Sequence, residues 1–151
     1  LITALPYCCA LVSILVMGWH SDKTKERRWH TALAMMATSL GLLLSVVTGS
    51  YTALAVSMLC LAAAGTAGYL PGFWALPTSF LTGTAAAASI GLINSFGNLG
   101  GFAGPYVVGY LSKKTGSYVG GVLYLSASAL VASMLILSLR ATRKGSVSGN
   151  R

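Results

Sequence analysis

The chain has 151 residues, 55% of them hydrophobic and only 8% charged. A soluble domain carries about 25% charged residues to cover its surface, so water is the wrong solvent for most of this one. The formal net charge of +8 comes from clusters at Lys23–Arg28, at Lys113 and Lys114, and at Arg140, Arg143, Lys144 and Arg151. Basic residues confined to the gaps between apolar runs do not build a nucleic-acid groove, so nucleic acid is excluded as a partner and a lipid bilayer is implied.

Charged residues mark the limits of the membrane spans, because one at the centre of a membrane helix costs about 2.5–3.5 kcal/mol. The first apolar run is 1–18, opening at Leu1 with no basic segment and no small-residue cleavage site ahead of it. It reads as a helix entered partway along. Cys8 and Cys9 lie in it and Cys60 in the third run, with no CxxC spacing, so reduced thiols acting as small apolar groups are expected. A charged loop follows over 19–29, holding Asp22 and Glu26, the only acidic residues of the chain, and bracketed by His20 and His30 and by Trp19 and Trp29. The tryptophans suit an interfacial belt, and the histidines read as interfacial rather than as metal ligands.

The second span is 30–47, and the four residues Thr48–Tyr51 then force an antiparallel pair with the third, 52–74. Gly65, Gly68 and Gly72 make a small-residue stripe that closes on Phe73 and Trp74, a pattern that fits either close packing or a gate in a discontinuous helix. Pro71, Gly72 and Pro77 predict a loop over 77–86. The fourth span, 87–112, sets Gly91, Asn94, Asn98, Gly101 and Pro105 on one stripe. Two amides facing lipid would leave polar atoms unpaired, so this face meets protein or water. Asn94 and Asn98 either bond neighbouring helices or line a path. Gly97 with Gly101, and Gly100 with Gly104, supply spacing for close contact. Gly116 marks the last turn, 119–139 is the fifth span, and the basic tail 140–151 is expected to be disordered.

Three spans separate the 19–29 loop from Lys113 and Lys114, and four separate it from the tail. Loop and tail therefore share a side. With the basic residues of both on that side, the positive-inside rule places the 19–29 loop and the C-terminus in the cytoplasm. No carboxylate shares a span with a nucleophile, and no metal-ligand cluster or cofactor motif occurs, so an enzyme is not expected.

The loop reads Gly18-Trp-His-Ser-Asp22-Lys23-Thr-Lys-Glu26-Arg27-Arg28-Trp29-His30. Gly-x-x-x-Asp-basic followed by paired basics resembles the loop signature of the major facilitator superfamily, and Glu-Arg-Arg-Trp-His is similar to its anion:cation symporter family. The superfamily's common form has Gly where this chain has Lys25. A second resemblance runs from Gly68 to Tyr110, through Gly-Tyr-Leu-Pro-Gly-Phe-Trp-Ala-Leu-Pro-Thr and Gly91-Leu-Ile-Asn-Ser-Phe-Gly-Asn-Leu-Gly-Gly-Phe-Ala-Gly-Pro-Tyr. It is similar to the tenth and eleventh helices of those symporters, which move sugar acids, tartrate-like diacids and aromatic acids.

The resemblance implies an all-α membrane protein whose five transmembrane helices are helices eight to twelve of a twelve-helix fold. It implies alternating-access transport of a small organic anion, with protons as co-substrate and an N-terminal half as partner, in a bacterial inner or plasma membrane. By the same resemblance Trp74, Asn94 and Asn98 would contact substrate, and Gly18, Asp22, Lys23, Arg27 and Arg28 would govern gating. Read alone, the loop is a solvated topology determinant. The rival readings are a glycine-packed oligomeric scaffold or channel-like protein, and a drug-exporting facilitator.

The orientation is testable in intact cells expressing the full-length protein without native cysteines. Ser50→Cys is expected to react with an impermeant thiol reagent added outside and Thr24→Cys to be silent; the opposite pattern would reverse the topology.

Overall fold

The structure, a computed structural model, describes residues 2–139. The predicted tail, 140–151, lies outside the described residues. A short 3-10 turn, Ile2–Ala4, leads into five α-helices: α1 (Leu5–Thr24), α2 (Arg27–Val47), α3 (Thr52–Phe80), α4 (Gly83–Thr115) and α5 (Val119–Ser138). No strand occurs among the described residues. The helices pack in the order α1, α3, α2, α5, α4, so α2 and α3 form the centre and α4 touches chiefly α5.

The residues that α2 buries are Thr31, Ala32, Ala34, Thr38, Ser39 and Gly41, all small. Its large apolar side chains, Leu33, Leu40, Leu43 and Leu44, point outward. This inversion of the soluble-protein pattern follows from the solvent. Lipid tails are as apolar as leucine, so helices associate through close packing and interhelical hydrogen bonds.

Both are present. A Cβ at Gly41 would sit 2.6 Å from the Ala62 backbone nitrogen, and one at Gly65 would meet the Ala34 carbonyl and lie 2.6 Å from the Thr38 nitrogen. Gly72 faces the Thr31 hydroxyl in the same way, and a Cβ at Gly68 would lie 2.6 Å from Ser13 Oγ on α1. The stripe on α3 is therefore a packing surface for α1 and α2. Ser13 donates to the Ala64 carbonyl at 2.7 Å, and Ser133 on α5 donates to the Ala32 carbonyl at 2.9 Å. Ser126 gives its hydrogen to the Ser39 carbonyl at 2.8 Å, which leaves Ser39 to donate to Ser126 Oγ at 3.1 Å.

Several predicted boundaries move. Residues 19–29 are two helix ends around a turn at Lys25 and Glu26, because α1 carries its polar last turn intact and is capped by the Lys25 N–H on the Ser21 carbonyl at 3.0 Å. The predicted loop over 77–86 shrinks to Leu81 and Thr82, since α3 continues through Pro71 and Pro77 without a break. Each proline removes one backbone donor, to the carbonyls of Ala67 and Phe73, yet fully unwinding a segment away from water would orphan many more groups. The Thr48–Tyr51 turn and the start of the fifth helix at Val119 stand where the sequence places them. Gly116, at φ +68°, closes α4.

Four helices, α1, α2, α3 and α5, are long and apolar enough to cross a membrane. The helix expected to be the fourth span, α4, runs 33 residues, or about 50 Å. It is diluted by glycine, serine, threonine and the two asparagines, so it needs protein on its polar side.

Gly65→Ala is expected to lower stability by about 1–3 kcal/mol, the usual cost of forcing atoms into a filled contact, and to reduce the thermal unfolding temperature in detergent. Stability equal to the parent would show that α2 and α3 are not in this close register.

Candidate functional site

The charged turn sits at one end of the bundle, and its residues reach two other helices near their ends. Arg27 Nη1 donates to the Ala75 carbonyl of α3 at 2.8 Å, and Arg28 donates to the Leu139 carbonyl just past α5. Both carbonyls lie near helix C-termini, where the helix dipole favours cations. The two arginines that open α2 thereby tie down the ends of both its packing partners. They also show that the turn, the end of α3 and the end of α5 share one end of the molecule, as the span count requires.

Asp22 Oδ1 lies 3.6 Å from Arg27 Nη2. Each charge stands at the unfavourable end of its own helix, Asp22 at the C-terminus of α1 and Arg27 at the N-terminus of α2, and each compensates the other. Arg27 is 25% exposed and Asp22 73%, which makes this a largely solvated pair. Lys23, favourably placed in the last turn of α1, stacks its amine 5.0 Å from the Trp19 ring. Gly18 meets the Pro71 ring, where a Cβ would lie 3.5 Å from it, seating α1 against the proline turn of α3. All five residues of the expected gating set are thus gathered at or near one end.

Lys25 adopts the left-handed conformation at φ 59°. This is the position where the resembling signature has glycine, and the backbone explains that preference: a non-glycine residue there costs about 1 kcal/mol.

Trp74 and the two asparagines form no such cluster. Trp74 lies six residues before the end of α3, in an edge-to-face run with Phe73 at 5.5 Å and, beyond it, Tyr69. It directly precedes Ala75, whose carbonyl Arg27 binds. Asn94 and Asn98 lie near the middle of α4, both exposed, and no hydrogen bond joins either to another helix among the described residues. Gly91, Gly97, Gly100, Gly101 and Gly104 likewise face open space. The whole stripe is unpartnered among the described residues.

Two cavities among the described residues lie elsewhere. One of about 480 Å³ lies between α1 and α3 beside Cys9, Ser13 and Met17, and another of about 520 Å³ lies beside Pro6, Leu42, Leu59 and Thr66. Both are lined by mostly apolar side chains and hold no charged group. Among the described residues no group of three or more His, Cys, Asp or Glu gathers.

Sequence reasoning missed three features: the arginine-to-carbonyl ties, the Ser39–Ser126 pair and a direct contact between His20 and His30. The histidines had a signal, since they bracket a turn between antiparallel helices. The others depend on helix rotation, which the small-residue positions only restrict.

These features define a polytopic membrane protein whose helices meet through small residues and whose charges stand at helix ends, most of the described ones at the α1–α2 turn. The chain belongs to the major facilitator superfamily, whose profile matches residues 1–150. It is 39% identical over 142 residues to a putative tartrate transporter of Agrobacterium vitis, covering 93% of this chain and 32% of that protein. It is 36% identical to a quinolone resistance transporter of Acinetobacter baumannii, covering 83% and 29%, and 31% identical to a D-galactonate transporter of Escherichia coli O6:H1, covering 91% and 33%. The chain spans about a third of the length of these relatives. No solved structure matches it.

The two arginine contacts differ in kind. A hydrogen bond from a charged donor is worth about 1.5–3 kcal/mol, and a solvated ion pair about 0–1 kcal/mol. Arg27→Gln is therefore expected to destabilise the full-length protein more than Asp22→Asn by thermal unfolding; equal losses would mean that the ion pair carries the contact.

Proposed function

We propose that this chain forms the last five helices of a secondary transporter for a small organic carboxylate, with protons moving in symport and access alternating between the two sides of the membrane. The observation that carries this reading is the amide stripe of Asn94 and Asn98, which lies at mid-height on a long helix with no cover from the described helices. In such a transporter a missing N-terminal half would complete the cavity in front of it. That half would also hold the proton-coupling carboxylates and the anion-binding cation, since these five helices carry no charge at mid-membrane.

The chemistry suits the assignment. An amide donates hydrogen bonds to carboxylate or hydroxyl oxygens without placing a second charge in a low-dielectric site. Asn94 would contact the substrate, Asn98 would support it one turn further on, and Trp74 would bound the path toward the charged end. Relatives named for tartrate and D-galactonate, both polyhydroxy carboxylates, fit this donor set. Gly18, Asp22, Lys23, Arg27 and Arg28 would govern the equilibrium between access states, because their contacts join four helix ends. On the positive-inside argument this end faces the cytoplasm of a bacterial inner membrane.

A second reading, drug export, is favoured by the relative named for quinolone resistance. One experiment separates the two. In the full-length protein Asn94→Ala is expected to weaken binding of a hydroxy-carboxylate such as tartrate or galactonate by about 1.5–3 kcal/mol, roughly 10- to 100-fold, with surface expression kept. Unchanged binding in both Asn94→Ala and Trp74→Ala would sink the cavity assignment, and binding of quinolones but of no hydroxy-carboxylate would favour export.

A further inference from the structure

His20 lies in the last turns of α1 and His30 in the first turn of α2, with their ring centroids 4.8 Å apart and His20 Nδ1 2.5 Å from His30 Nε2. A second contact fixes the protons. His30 Nδ1 lies 2.5 Å from the Glu26 carbonyl oxygen, and a carbonyl only accepts, so Nδ1 of His30 carries hydrogen. In neutral His30 the other nitrogen, Nε2, is then bare and must accept. His20 therefore donates from Nδ1, and both neutral rings hold their proton on Nδ1.

Adding protons to this pair has two distinct consequences. With one extra proton, His30 becomes a cation that donates from both nitrogens, while His20 moves its hydrogen to Nε2 and accepts on Nδ1. The contact survives. With two extra protons, neither ring has a lone pair left, and two N–H groups of like-charged rings face each other across 2.5 Å. The contact must break.

From this geometry we infer that His20 and His30 form a proton-operated latch between the ends of α1 and α2, closed while the pair holds no more than one extra proton and open when it holds two. The contact is solvent-exposed, so protons reach it directly. It bridges the turn at Lys25 and Glu26, where the backbone is left-handed at Lys25 and no side chain caps α2. Opening it would free the end of α1 from the His30 ring, while His30 Nδ1 keeps its bond to the Glu26 carbonyl, and would loosen the segment that positions Arg27 and Arg28.

Among the described residues the charged neighbours all belong to this corner: Asp22 and Lys23 on α1, Lys25 and Glu26 in the turn, and Arg27 and Arg28 on α2. Asp22 lies against Arg27 at 3.6 Å. The last turns of α3 and α5 and the first turns of α4 bring no titratable side chain to this end. The sign follows: the latch is closed at high pH and lost as pH falls. The inference does not depend on which substrate is carried.

The test uses the full-length transporter, cysteine-free except for a spin label at Lys25→Cys. The label is expected to be restrained at pH 8 and to gain mobility by pH 5, and His20→Phe and His30→Phe are each expected to abolish that dependence and leave the mobile spectrum throughout. Nitrogen-15 spectra of the histidine side chains in the unsubstituted protein give an independent readout that needs neither variant to fold. At pH 8.5 the pair is expected in the Nδ1–H form, the minority tautomer of free histidine. A pH response that survives in either folded variant, no response in the parent, or an Nε2–H tautomer at both rings would overturn the latch.

Discussion

A hydrocarbon surround removes the ordinary reason for helices to meet, and the rest of this structure follows from that constraint. Burying a leucine between two helices in lipid gains little, so stable contact requires backbones to approach closely and polar groups to find partners. Helix α2 satisfies both demands at once. Its buried face of Thr31, Ala32, Ala34, Thr38, Ser39 and Gly41 offers no bulk, and opposite it stand Gly65 and Gly72 on α3 and Ser126 and Ser133 on α5. The serines then act across the interfaces as donors to main-chain carbonyls, a role that needs a short side chain and a near backbone.

The same constraint accounts for what is incomplete. Helix α3 keeps its course through two prolines because unwinding would expose more unpaired backbone than the two missing N–H groups do. Helix α4 carries asparagines and glycines along a face with no neighbour among the described residues. A helix of that composition is not suited to lipid on all sides, which is why it lacks the apolar length that the other four possess. Membership of a superfamily whose matched members are about three times longer supplies the physical context for such a face.

Legibility in the sequence tracked the physics of each feature. Charges and short polar turns are read directly from insertion cost, so the number of helices, their order and the Thr48–Tyr51 and Gly116 turns were all visible. Helix ends beyond the hydrocarbon were not, because once water is available a polar segment such as Trp19–Thr24 can extend a helix freely. The loop over 77–86 was misjudged by applying to Pro71 and Pro77 a cost that holds in water. The glycine stripe of α3 was legible as a contact surface but not as belonging to packing rather than gating; that distinction needed the positions of Ala34, Thr38 and Ser13. Lys25 was recognisable only as a departure from a signature, and its backbone angle supplies the reason.

Polar contacts, finally, are distributed unequally between the middle and the end of the bundle, and the difference is mechanical. Those inside the bundle, Ser39 with Ser126 and Ser133 with Ala32, are buried, neutral and made over small residues. Separating them would leave donors and acceptors without water, so α2 and α5 are bound as a unit. At the charged end the ties are solvent-accessible: Arg27 to Ala75, Arg28 to Leu139, Asp22 to Arg27 and His20 to His30. Each of these groups can exchange its partner for water at a cost of a few kcal/mol or less. A bundle built this way holds together at its dry centre while its wet end can make and release contacts. Among the described residues the two histidines and the one ion pair stand at that end and not along the polar stripe of α4. On the proposed reading, recognition of a substrate on that stripe and control of the helix ends would be carried by separate chemistry, and substitutions in one would leave the other's groups in place.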